Sequence, residues 1–297
     1  MSNDLTDKAQ SHGQATSRPQ KLAVRGLHFN VVDQGQGKPI LLLHGFPDSL
    51  TIWEPITPYL LAAGYRVIAF DQRGFGDTDA PIGKIHYRIQ QIVDDIPALL
   101  DQLDIHQPIQ VMGHDWGSVI GWCLACFYPD RVQSLVAVSV GHPTCYGRAG
   151  LEQKISKGLY TLWFQFPKLT EWYLLRGGGF KRWLREQQDL SKVLPPMQRA
   201  GRLTAALNWY RANLLPILLS RWPRCSRPTL GVWSDQDPYL TEAQMCQSER
   251  YVDAEWRYLK IEQCGHWIPQ EQPALLAKAA IDWFAEHQDN SHLGRSN

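Results

Sequence analysis

The chain has 297 residues and balances 30 Lys and Arg against 29 Asp and Glu, a formal charge of +1 with no basic block. This excludes the electrostatic footprint of a nucleic-acid or anionic-membrane binder. With 44% hydrophobic and 20% charged residues, it has the length and apolar content of one large α/β core carrying an insertion, and no apolar run approaches the ~20 residues of a membrane span.

Residues 1–20 are polar and lack an apolar h-region, so they read as a disordered tail rather than a signal peptide. Leu22–Arg25 and Leu27–Asp33, broken at Gly26, read as a β-hairpin. Pro39–Leu43 is a short, wholly apolar strand of the kind buried in a parallel sheet, and His44-Gly-Phe-Pro47 follows it. Ile52–Ala63 has helical spacing and stops at Gly64. Tyr65–Phe70 is a second buried strand, closing in the glycine-rich Asp71-Gln-Arg-Gly-Phe-Gly76. Ile89–Leu103 is amphipathic at helical spacing, with Pro97 marking a kink. The apolar run Pro108–Met112 leads into Gly113-His-Asp-Trp-Gly117, and a helical run, Ser118–Tyr128, leads out. Gln133–Val140 is another strand, ending in Gly141-His-Pro143.

From residue 143 to 224 the texture changes to aromatic helical segments broken at Pro167, Gly177-Gly-Gly179, Pro195-Pro196 and Pro216, the pattern of a helical insertion. Strands resume with Pro228–Trp233 and Glu255–Ile261, an apolar helix covers Pro273–Phe284, and residues 288–297 read as a second tail. Strands alternating with helices predict a mostly parallel, doubly wound α/β sheet with right-handed crossovers. Its core spans 21–142 and 225–287, with the inserted helices over the strands' carboxyl ends, where ligands bind in such sheets.

Six cysteines offer no paired zinc spacing, and Cys123-x-x-Cys126 sits among Trp122, Leu124 and Phe127 on a helix. They read as free thiols of a reducing compartment, with the cytoplasm the expected location and no metal site. Most of the twelve tryptophans are expected in the core.

The chemistry centres on Asp115. Gly-x-Asp-x-Gly between strand and helix has the spacing of a nucleophile elbow, with aspartate where most elbows carry serine. The N–H groups of Phe46 and Trp116 are placed to converge as an oxyanion hole, while His44 reads as structural. Trp233-Ser-Asp-Gln-Asp237 offers two carboxylates, Asp235 and Asp237, and Gly265-His-Trp267 offers a base. The order nucleophile, acid, base, Asp115…Asp237…His266, is that of α/β-hydrolases.

On these motifs, taken with His44-Gly-Phe-Pro47 and Asp71-x-Arg-Gly-x-Gly76 over roughly residues 21–287, the chain resembles the α/β-hydrolase fold and, through its aspartate elbow, the epoxide hydrolase branch, related to haloalkane dehalogenases. The resemblance implies a helical cap, residues 143–224, that holds two phenols over the nucleophile. Leu207-Asn-Trp-Tyr-Arg211 matches the motif of one and gives Tyr210. The other is assigned to Tyr160, with Tyr146 and Tyr173 as alternatives. Trp116, Trp163 and Trp267 are expected to contact substrate.

The implied reaction opens a hydrophobic epoxide with water to a vicinal diol through an aspartyl ester, without a cofactor, in a monomer or homodimer. A haloalkane dehalogenase is the alternative within the branch. It is weakened by Phe46, which stands where those enzymes usually carry asparagine. A ligand receptor on the same fold is the non-catalytic alternative.

Overall fold

The computed structural model describes residues 18–148, 157–184 and 189–288. The two expected tails fall almost wholly outside these, and the described part of the first already opens a strand at Gln20. Eight strands form one sheet: β1 (Gln20–Val24), β2 (Leu27–Gln34), β3 (Lys38–Leu43), β4 (Tyr65–Phe70), β5 (Ile109–His114), β6 (Val132–Val138), β7 (Thr229–Ser234) and β8 (Trp256–Ile261). Their order is β1-β2-β4-β3-β5-β6-β7-β8. β2 pairs antiparallel with β1 and with β4, and every other pairing is parallel. β5 and β7 are buried along their whole length, as strands covered on both faces must be.

The chain steps outward from β3 to β4, then returns to place β5 on the other side of β3. The strand order therefore reverses between β3 and β5, and such a switch point opens a crevice at the strands' carboxyl ends. Both the loop after β3 and the elbow after β5 empty into it.

Helices α1 (Thr57–Ala62), α2 (Ile89–Gln102) and α3 (Trp116–Phe127) connect the first six strands. The helix expected over Ile52–Ala63 is instead a 3-10 turn, Leu50–Trp53, followed by α1. Pro55 and Pro58 lack the N–H groups that would carry one ladder through.

Between β6 and β7 the described residues contain only helices: α4 (Pro143–Arg148), α5 (Leu159–Trp163), α6 (Leu169–Arg176), α7 (Gly179–Leu184), α8 (Leu190–Gln198) and α9 (Arg202–Leu219). Pro195-Pro196 and Pro216 were expected as breaks, yet they lie inside α8 and α9. Each proline forfeits one i to i−4 bond, and burial of the surrounding faces holds the helices. α9 is anchored to the core by side chains. The Trp209 indole N–H donates to the Arg73 carbonyl (3.0 Å), and Asn213 bonds both the N–H of Ile89 (2.8 Å) and the carbonyl of Tyr87 (2.7 Å). Helices α10 (Glu242–Cys246), α11 (Ile268–Glu271) and α12 (Pro273–Glu286) complete the chain.

Candidate active site

Asp115 sits at the junction of β5 and α3 with φ 54° and ψ −120°, a strained backbone for a residue with a Cβ. The flanking glycines allow it. A Cβ on Gly113 would lie 2.2 Å from the Gly117 carbonyl oxygen, and one on Gly117 would lie 1.9 Å from that of Leu43. The loop after β3 runs equally close, since a Cβ on Gly45 would come within 2.4 Å of Asp115 Oδ1. This contact delivers the Phe46 N–H, which donates to Oδ1 at 2.8 Å. Trp116 is the first residue of α3, so its N–H belongs to the helix-start donors that have no acceptor within the helix.

The loop after β8 brings His266 to the same point. Its Nε2 lies 3.7 Å from Asp115 Oδ2, an ion-pair contact longer than a hydrogen bond, while Nδ1 donates to Asp237 Oδ2 at 2.7 Å. The other Asp237 oxygen accepts the N–H groups of Tyr239 (2.7 Å) and Leu240 (3.0 Å). Asp235 is exposed, and its Oδ1 accepts only a long bond from the Cys264 N–H (3.4 Å), so Asp237 is the carboxylate that meets the imidazole. The His266 carbonyl is held by His114 Nε2 (2.9 Å), and that of Gly265 by the Ser234 hydroxyl (2.6 Å). His44 stays in the framework. Its Nδ1 donates to the Gly45 carbonyl and its Nε2 accepts from the Gln72 N–H, both at 2.9 Å.

Above the carboxylate is a cavity with about 510 Å³ of empty space, its mouth included. Asp115, Trp116 and three phenols, Tyr146, Tyr160 and Tyr210, line it among apolar side chains such as Val119, Leu214 and Ile217. Tyr210 stands on α9 and packs edge-on against Trp116 at 5.1 Å, and the Tyr160 ring, on α5, is 6.2 Å from it.

A family model described as the alpha/beta hydrolase fold matches residues 38–273. The chain belongs to the α/β-hydrolase fold family. Its relatives place it with the epoxide hydrolases of that family. It is 31% identical to human epoxide hydrolase 4, over 88% of this chain and 76% of the relative. It is also 31% identical to the AB hydrolase superfamily protein YfhM of Bacillus subtilis, over 87% of this chain and 94% of the relative. One solved structure, from a group of epoxide hydrolases found in metagenomes of hot environments, superposes with a TM-score of 0.81. It is 25% identical and covers 92% of this chain and all of its own.

Electrostatics in this hydrolase favour an ion pair at rest. Burial works against charge on both groups. For His266, the carboxylates of Asp237 and Asp115 overcome it and raise the imidazole to about 10. For Asp115, the neighbouring His266 imidazolium, helped by the Phe46 N–H, keeps the carboxyl below its ordinary value. The phenols go the other way. Burial first, then the neighbouring phenols and the Asp115 charge, lift Tyr160 well above 10, and burial followed by Asp115 does the same for Tyr210. Both stay protonated at neutral pH and can donate their protons.

Two of the expected substrate contacts lie elsewhere. Trp267 is fully buried beneath the site, with its indole N–H on Asp48 Oδ2 at 3.0 Å and its ring edge-on to His266. It braces His266 and is not among the residues that line the cavity. Trp163 is 38% exposed and lines an outer groove with Tyr173, a groove that Tyr160 borders from the cavity side. Tyr173 is thereby off the cavity too, whereas Tyr146 is on it. Spacing had also not marked Val119 or Ile217 as part of the wall, whereas Leu214 lies on the inward helical face that it shares with Tyr210.

All six cysteines are free thiols. No cluster of potential metal ligands occurs among the described residues, nor any helix long and apolar enough to cross a membrane.

Proposed function

We propose that the enzyme opens hydrophobic epoxides to vicinal diols through an ester on Asp115, with residues 143–224 acting as the cap. The observation that carries this reading is a carboxylate presented on an elbow beneath two protonated phenols, with a histidine–aspartate pair behind it. Serine suits attack on acyl carbon. A carboxylate can instead displace at saturated carbon and leave an alkyl ester.

In this mechanism Asp115 Oδ2 attacks the less hindered epoxide carbon, since Oδ1 is already occupied by the Phe46 N–H. The C–O bond of the ring breaks as Tyr160 and Tyr210 hydrogen-bond its oxygen and one phenol gives up its proton. Without that donation the leaving group is an alkoxide, a poor one at neutral pH. The phenol is reprotonated at the expense of the His266 imidazolium, which has just lost the Asp115 charge. Neutral His266, oriented by Asp237, then takes a proton from water, and the hydroxide adds to the ester carbonyl carbon. Negative charge develops on Oδ1, where the Phe46 and Trp116 N–H groups are placed to receive it, and such a donor is typically worth about 3 kcal/mol in the barrier. Collapse expels the second alkoxide, which takes the proton of the newly formed carboxylic acid. Asp115 and the His266 imidazolium are thus restored, and the balance is one epoxide and one water to one diol.

The relatives' names and the paired phenols support epoxide over haloalkane substrates. Of the Trp116 and Phe46 positions, only Trp116 offers a halide a side-chain donor, because the Phe46 ring has none and is packed against Tyr210 and Phe164. The test is a panel of aryl and alkyl epoxides beside bromoalkanes of the same size. Diol release with no halide release is expected. Halide release with the epoxides untouched would make it a dehalogenase, and binding without turnover a receptor.

A further inference from the structure

The mechanism uses two phenols, and the cavity has three. Tyr146 lies on α4, just past the carboxyl end of β6, and lines the cavity beside Val140 and Pro143. Its placement is fixed by backbone packing. A Cβ on neighbouring Gly147 would lie 2.4 Å from the Ile217 carbonyl oxygen, so α4 rests directly on α9. The Tyr146 ring makes no ring contact with Tyr160 or Tyr210, although those two rings pack on each other. The third phenol therefore occupies a separate wall.

Its hydroxyl is also unlike most others in this protein. Tyr87, Tyr128, Tyr239 and Tyr258 donate to Pro81, Asp94, Trp183 and Glu242 respectively. The Tyr146 hydroxyl has no hydrogen-bond partner among the described residues, and it is close enough to feel the Asp115 charge. A hydroxyl in a mostly apolar wall, left unbonded by the described residues, favours a ligand that supplies an acceptor.

We propose that Tyr146 is a specificity-determining residue whose O–H binds an acceptor oxygen in the substituent of the epoxide, so that the preferred substrates carry an ether, carbonyl or hydroxyl oxygen near the ring. This rests on the ring-opening reading only for which end of the ligand lies where. With the epoxide oxygen on the Tyr160 and Tyr210 pair, the substituent extends toward α4.

The test compares benzyl glycidyl ether with its carbon isostere, in which a methylene replaces the ether oxygen, in the wild type and in Tyr146→Phe. Dissociation constants of the two corresponding diols are measured in parallel by quenching of indole fluorescence, and thermal melting verifies that the variant folds. The wild type should favour the ether, and Tyr146→Phe should reduce the ether-to-isostere ratio of kcat/KM, and of diol affinity, about 3- to 10-fold, the contribution of one neutral hydrogen bond. Ratios unmoved by the substitution, or an equal loss on both ligands, would overturn the proposal. If the wild type opens neither epoxide yet Tyr146→Phe still erases a preference for the oxygenated diol, the ring-opening reading fails and the subsite stands.

Discussion

Replacing Asp115 by asparagine isolates the charge change that the ester would cause. The amide keeps the shape of the carboxylate and removes its charge, as alkylation does. His266 Nε2 is 3.7 Å from Asp115 Oδ2. At an effective dielectric of about 20 that pair is worth roughly 4.5 kcal/mol, or about 3 pK units. His266 is held at about 10 by two carboxylates, so in Asp115→Asn it should titrate near pH 7, on the strength of roughly 3 units lost. A base needed after esterification would then be largely unprotonated at neutral pH, whereas in the resting enzyme it is charged. The assay is an NMR titration of the His266 ring proton in both proteins, with intact mass confirming that the amide has not reverted to acid. A midpoint that does not move would refute the claim that Asp115 holds the proton on His266, and with it the proposed handover between the two chemical steps.

The remaining expectations concern the same site and the fold around it. His266→Gln should accumulate the ester, read by intact mass as an increase equal to the substrate; an unmodified mutant that has consumed one equivalent of epoxide would contradict two-step chemistry. Tyr210→Phe and Tyr160→Phe should each lower kcat for ring opening by about 100-fold, the low end for a positioned acid, measured as single-turnover ester formation. His266 binds a proton more tightly folded than unfolded. The stability this contributes is therefore present in full below pH 6.5 and is lost as pH rises toward 10. Thermal melts should show the wild type losing more stability than His266→Gln across that window. Away from the site, Arg73 pairs with Asp95 through two bonds of 2.7 and 2.8 Å, both side chains being buried. Asp95→Ala should cost about 3–5 kcal/mol in urea unfolding.

The fold was legible where physics leaves little choice. The glycines around Asp115 are demanded by carbonyls that no Cβ can pass, and such a demand is visible in one short motif. The meeting of Asp115, Asp237 and His266 followed from loop order, because each loop leaves the same edge of one sheet. The helices between β6 and β7 were harder to read. They are short, and which face each turns inward is set by partners distant in sequence. That is why Trp163, on the outer groove, was expected at the substrate, and why Tyr146 and Tyr173 stayed as alternatives to Tyr160. Trp267 misled for another reason: adjacency to a base in sequence says nothing about which side of the ring a neighbour packs on. Proline spacing erred in both directions, breaking the expected helix after residue 53 and leaving α9 whole.

The bond from Trp267 to Asp48 joins positions 219 residues apart, one beside His266 and one just past the Phe46 N–H that bonds Asp115. During synthesis the early half of the elbow's surroundings emerges long before the segment that steadies it. A nascent chain paused ahead of β8 holds an aspartate with no histidine to serve it and an Asp48 with no indole to grasp. In the proposed mechanism Asp115 thus has no base until the loop that follows β8 has been made and has reached it.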